Sequence, residues 1–343
     1  MVAEHASRSL LSVILMGLTP ADSVPRIPVI LGAAQLGAPG TGERVSDPAI
    51  VQDFIDLMLS HGQTGIDTSR IYAQGTSEKL IGTLDLRGVA RVDTKIFPLA
   101  PGDHEPAKLK ETFKICQEAL GAQKIRVFYL HAPDRSVPYE DTLEALDEIK
   151  KFGGFEELGL SNFPAWEVAE VVGICKRRGF VEPSVYEGVY NIIDRSAEDE
   201  LFPCLRKFGI RYAAYTPLAG GYLTNRFFLP DTTSEVPLSK FRASDPLSWM
   251  YKSRYLPAAQ AVAELLEVVK AHGLTLAEVA LRWLQWHSKL QPGDHGIIVA
   301  VSNRKQLEDN LADCEKGPLP EAVVQACEEA WKKARPTAPK YWI

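Results

Sequence analysis

Eight short apolar runs, rich in β-branched and aromatic residues, recur along the chain at 27–37, 64–69, 91–97, 124–134, 155–163, 183–191, 210–221 and 296–302. Most are followed by a longer stretch with apolar residues at helical spacing, such as PAIVQDFIDLMLSHG, EPAKLKETFKICQEALGA, PAWEVAEVVGICKRRG and RKQLEDNLADCE. Strand–helix alternation of this kind implies a parallel sheet with right-handed crossovers, because parallel neighbours need a long connection and a helix supplies it. Eight such units in 343 residues most simply close into a single-domain α/β fold, the (β/α)8 TIM barrel. The competing open, doubly wound sheet wants a G-x-G-x-x-G after its first strand, and GAAQLGAPGTG carries its glycines at other spacings. The Pro/Ser-rich stretch 222–255 reads as a loop insertion at the mouth of the barrel.

Composition narrows the function. A formal net charge of −6, with no Lys/Arg-rich run, excludes a nucleic-acid partner held by phosphate contacts. The five cysteines are scattered without a CxxC or Cys/His cluster, which points to reduced thiols, a cytoplasmic setting and no metal. Residues 1–26 form an N-terminal extension ahead of the barrel domain, 27–343. Its apolar run, Leu10 to Leu18, is too short to span a bilayer, and Glu4 interrupts the basic region a secretory signal wants, so no membrane partner is expected.

In a barrel, functional side chains gather at the C-terminal ends of the strands. Those ends carry Asp67 with nearby Tyr72, then Lys95, His131, Ser161 with Asn162, Glu187 and Tyr215. Singly, each has a structural reading: Asp67 capping a turn, Lys95 reaching solvent, His131 as a loop histidine, Tyr72 packing with a wet hydroxyl. Together they suit one task. A phenol ionises at about pH 10, so its proton is held too tightly for neutral pH unless a neighbouring ammonium favours the phenolate. Lys95 is that ammonium, Asp67 keeps it charged, and a neutral His131 can donate a hydrogen bond to a carbonyl oxygen. This is a general-acid site aimed at a carbonyl, and it needs a reductant.

The segments GIDTSRIY, DTKIF, YLHAPD, GLSNF, YAAYTPLAGGYLT and SNRKQLEDNL, in this order, resemble the aldo-keto reductase superfamily, most closely a fungal version of its aflatoxin-aldehyde reductase branch. The resemblance spans about residues 27 to 340. It implies a barrel that binds NADPH (or NADP+) in an extended pose without a Rossmann domain and reduces a small-molecule aldehyde or ketone. Tyr72 would be the proton donor, tuned by Lys95 and Asp67, and His131 would orient the substrate carbonyl. Ser161, Asn162 and Glu187 would meet the nicotinamide carboxamide, and Tyr215 would stack on its ring. Thr216, Pro217, Leu218, Ala219, Gly220 and Gly221 would wrap the pyrophosphate with Arg226, which stands where the branch usually has lysine. Ser302, Gln306 and Asn310 would hold the adenosine end, with Arg304 or Lys305 meeting a 2′-phosphate. Glu187 stands where the family has glutamine. A carboxylate there accepts but does not donate, and its charge would favour the oxidised cofactor.

The resemblance also allows a nucleotide-sensing binding subunit with slow turnover. A third reading makes Lys95 the Schiff-base lysine of a barrel aldolase, which leaves GLSNF and the adenosine segment without a purpose. Secondary metabolism or aldehyde detoxification would suit a reductase of this branch, as monomer or homodimer.

Overall fold

The computed structural model describes residues 25–224, 240–241, 245 and 247–343. Arg226 and the apolar run at 10–18 lie outside the described residues. Eight parallel strands, β1 (Val29–Gly32), β2 (Gly65–Asp67), β3 (Arg91–Ile96), β4 (Ile125–Leu130), β5 (Phe155–Ser161), β6 (Pro183–Val189), β7 (Arg211–Tyr215) and β8 (Gly296–Val299), follow one another around a closed barrel. β1 pairs with β8 through Val29–Ile297 and its neighbours, so the sheet has no free edge. Every apolar run read from the sequence contains one strand, and each strand is shorter than its run. The chain leaves the sheet close to the strand ends, where Ala33 N–H donates to Asp67 O and Arg70 N–H to Lys95 O beyond β1 and β2.

Helices cover the barrel outside. Pro48–Ser60 begins at an Asp47 cap and with proline in its first turn, where the missing N–H costs nothing. Ala165–Arg178 ends on Gly179 in the left-handed region, with three basic residues in its last turn facing the negative end of the helix dipole. Two helices fall outside the strand–helix rhythm, Ala259–Ala271 and Glu321–Ala334, and they pack on one another. Neither has a strand of its own, so the alternation did not call for them. Part of the stretch expected to be a loop insertion is also helical, over Ser248–Tyr255. At the N-terminal end of the barrel, Arg26 donates to Gln285 O at 2.6 Å, and the Gln285 side chain bonds both the N–H and the C=O of Ile27.

Two apolar regions result. The larger lies between sheet and helices. The smaller, built on Ile30, Val127, Tyr129, Val185, Ala213 and Ile298, fills the barrel interior. Because side chains alternate faces along a strand, the interior residues recur every second position: Val127 and Tyr129 on β4, Val185 then Glu187 on β6, Ala213 then Tyr215 on β7. The polar residue of each pair falls nearer the C-terminal rim. Below them, Asp93 is sealed by a two-pronged Arg126 contact (2.7 and 2.5 Å) and by His295 Nε2 at 2.8 Å. Burial opposes its charge, but His295 and Arg126 outweigh that and hold the carboxyl below its ordinary range.

Tyr129 fits inside only because β5 carries Gly159 beside it: a Cβ there would lie 2.1 Å from the ring. Gly159→Ala is therefore expected to destabilise the fold by about 1–3 kcal/mol in urea unfolding. Gly173→Ala, in a helix where the new Cβ meets only Arg177 Nη1 at 3.5 Å, should stabilise it by about 0.5–1 kcal/mol.

Candidate active site

Barrel closure brings the rim residues to one point. Lys95 has no solvent exposure, and its ammonium pairs with the Asp67 carboxylate and donates to Thr68 O at 3.0 Å. The same Nζ lies 3.2 Å from Glu187 Oε2, reached across the barrel from β6. That oxygen is buried and has no aligned hydrogen-bond partner. The ring centres of Tyr72 and Tyr129 lie 5.1 and 5.7 Å from Nζ. The sequence reading paired Lys95 with Asp67 alone. The structure places two carboxylates on one ammonium, a contact that strand order hides because β3 and β6 are not neighbours.

The electrostatics follow from burial. Desolvation opposes the charge of Lys95, but Asp67 and Glu187 outweigh it and hold the ammonium protonated. Burial, together with mutual repulsion, raises the Asp67 carboxyl well above its ordinary range; burial also raises Glu187. For Tyr72 the sequence reading had Lys95 lowering the phenol's pKa. Lys95 does pull in that direction, but burial pushes harder the other way, aided by Asp67 and Glu187, so the resting phenol is held firmly protonated. His131 is kept neutral by burial first and by Lys95 second.

A second set of contacts orients the ring nitrogens and amides. Ser69 Oγ stands 3.2 Å from His131 Nδ1 and 3.1 Å from Lys95 O, and its single hydrogen can serve only one of them. Asn162 donates to His131 O at 2.8 Å and to Ser161 Oγ at 3.0 Å, while its own Oδ1 accepts from the Tyr215 hydroxyl at 3.3 Å. His131, Ser161, Asn162 and Tyr215 thus form one network. Sequence reasoning missed Ser69 and Tyr129 as parts of this site. Ser69 had a signal in its closeness to Asp67, but Tyr129 sits in mid-strand and looks like ordinary core.

Backbone strain is concentrated at the same rim. Among the described residues, six non-glycine residues have positive φ, and five of them, Ala73, Gln74, Asn162, Thr216 and Ala219, lie in the turns after β2, β5 and β7. Such conformations persist only where the surroundings impose them, and they mark functional turns more often than chance. Thr216 to Gly221 form a tight loop closed by Ala219 N–H to Thr216 O and Gly221 N–H to Leu218 O, both 2.9 Å, with Pro217 inside it. Gly220 is required there for a reason the sequence did not suggest: a Cβ would lie 2.4 Å from the Tyr251 ring.

The other expected cofactor residues follow β8. Gln306 Oε1 accepts from Ser302 N–H at 2.9 Å and Ser302 Oγ–H at 3.1 Å, and Asn303 caps the helix Arg304–Glu315 by accepting from Gln306 N–H. Asn310 is buried in that helix. Arg304 is exposed and paired with Asp53 and Glu308, and Lys305 with Asp309. Exposed pairs of this kind contribute little to stability.

The profile of the Aldo/keto reductase family matches residues 28–332. The chain is 39% identical over 328 residues to human Aldo-keto reductase family 7 member A3, covering 90% of this chain and 97% of that protein. It is 38% identical to human Aflatoxin B1 aldehyde reductase member 4, over 91% and 97% of the two chains, and 36% identical to Aldo-keto reductase pigE of Monascus ruber, over 92% and 97%. Matched along almost its whole barrel, the chain belongs to the aldo/keto reductase family.

Proposed function

We propose that the protein reduces an aldehyde or ketone to an alcohol with NADPH, using Tyr72 as the proton donor. The observation that carries this reading is the convergence of a phenol, an imidazole and a buried ammonium: the Tyr72 ring centre lies 5.1 Å from Lys95 Nζ and 5.9 Å from the His131 ring, and Lys95 is paired with Asp67. The rim also fits a nicotinamide: Glu187 Oε2 is buried without an aligned partner, and Ser161, whose hydroxyl accepts from Asn162, stands opposite Glu187 on the neighbouring strand. When bound, NADPH supplies the hydride. The residues proposed to hold it are Ser161, Asn162, Glu187 and Tyr215 at the nicotinamide and the turn Thr216–Gly221 at the pyrophosphate. At the adenosine end they are Ser302, Arg304, Gln306 and Asn310.

The chain's own part is proton chemistry. Burial keeps the Tyr72 hydroxyl in its acid form, so a proton is always present to give. As negative charge grows on the carbonyl oxygen, Tyr72 Oη–H transfers its proton there, and the Lys95 ammonium stabilises the phenolate left behind. His131, neutral, donates to the same oxygen through Nε2–H. That tautomer leaves Nδ1 bare, so the Ser69 hydroxyl must turn its hydrogen from Lys95 O to Nδ1. Ser69 is thereby a positioning residue for the carbonyl. The aldehyde reductase names of the relatives support an aldehyde as substrate.

Tyr72→Phe should lower kcat for aldehyde reduction, followed as loss of NADPH absorbance, by about 100- to 10,000-fold while leaving NADPH binding intact. NADPH binding without turnover by the unmodified protein would favour a sensing subunit instead. Arg304→Ala should weaken NADPH by about tenfold and leave NADH unchanged, because only NADPH carries the 2′-phosphate. Fluorescence titration with each nucleotide reads this directly.

A further inference from the structure

One ammonium and two carboxylates share the buried rim, and their charges do not cancel. The groups facing Glu187 are Lys95 and Asp93 from β3, Asp67 from β2, and the phenols of Tyr72, Tyr129 and Tyr215. Of these, only Lys95 is cationic. Asp93 already has Arg126 and His295 as partners. Asp67 takes the direct ion pair with Lys95, and Glu187 Oε2 is left 3.2 Å from Nζ without an aligned hydrogen bond. Two buried carboxylates around a single cation carry one uncompensated negative charge, and a proton is the cheapest way to remove it.

We propose that Asp67 and Glu187 share one proton beside Lys95, and that the protein releases it when the positively charged nicotinamide of NADP+ binds at the rim. The inference rests on the NADPH reading above, since it places a nicotinamide beside Glu187. The direction in which burial and repulsion move both carboxyls agrees with it. The step balances simply. The carboxyl O–H bond breaks, the proton leaves to solvent, and the new carboxylate charge is offset by the pyridinium. NADPH, whose dihydronicotinamide is neutral, leaves the proton in place. Glutamate thus does what glutamine at this position does not: it offers a neutral hydrogen-bonding group to the reduced cofactor and an anion to the oxidised one.

The test is proton release on nucleotide binding to the full-length protein near neutral pH. It is measured by calorimetry in buffers of different ionisation heat, with NADP+ and NADPH titrated separately. Both nucleotides carry the same 2′-phosphate, so the difference between them isolates the nicotinamide charge. The unmodified protein should release about one proton more with NADP+ than with NADPH. Its NADP+ affinity should rise by up to about tenfold per pH unit on the acid side of the shared carboxyl's titration, because binding expels a proton. Glu187→Gln should lose the difference, and so should Asp67→Asn, since either leaves one carboxylate for one ammonium. An unchanged difference in either variant, or none in the unmodified protein while both nucleotides bind, overturns the proposal. Failure to bind either nucleotide, read by fluorescence, overturns the cofactor reading and this inference with it.

Discussion

An ammonium sealed from water is tolerable only where anions meet it, and the interior of this barrel is arranged around that requirement. Lys95 points from β3 to a spot that Asp67 reaches from the neighbouring strand and Glu187 from the opposite wall. Remove the ammonium and two carboxylates would face each other in a medium that stabilises neither. Remove the carboxylates and burial would strip the lysine of its proton. The phenol of Tyr72 and the imidazole of His131 are both held in neutral forms by the same enclosure. The acid–base character of the site is thus a consequence of where water is excluded, and the charged trio is the part that exclusion makes indispensable.

The barrel makes that enclosure possible by a division along its axis. Below the trio, Tyr129, Val127, Val185, Ala213, Ile30 and Ile298 fill the interior, and Asp93, Arg126 and His295 form a separate, internally satisfied ionic group. The lower cluster has its own counter-ions for Asp93, whereas the upper sets two carboxyl groups against one ammonium. Gly159 matters here out of proportion to its size: its missing side chain gives Tyr129 room to lie beneath Lys95. Above the trio, the turns bend back over the rim through residues held at positive φ, Asn162 and Thr216 among them. Packing fixes the floor of the site, and strained turns fix its walls.

Much of this was legible before any coordinates. The strand–helix alternation gave eight strands in the right places, since a parallel strand buried on both faces is a short apolar run and each of these was set off by the helical stretch or loop that follows it. The polar residues at strand ends stood out because they interrupt those runs. Less was legible where no rhythm existed. The helices Ala259–Ala271 and Glu321–Ala334 pack on each other outside the repeat, and Ser248–Tyr255 lies in a stretch whose prolines and serines suggested loop. The sign of the Tyr72 shift was also out of reach, because it depends on the balance between burial and one nearby ammonium, and burial is a property of the whole fold.

The sequence by itself determined the fold class and the set of polar residues at the C-terminal ends of the strands, Asp67, Lys95, His131 and Glu187 among them. Those follow from local patterns: strand–helix alternation, apolar runs, and the polar residues that end them. Only the tertiary structure decided which groups share a charge. Glu187 lies 92 residues beyond Lys95 in the chain and three strands around the barrel, and nothing local to either marks the other as a neighbour. Closure of the sheet brings β3 and β6 across a single interior, and at 3.2 Å in a buried setting Glu187 shares the electrostatics of Lys95.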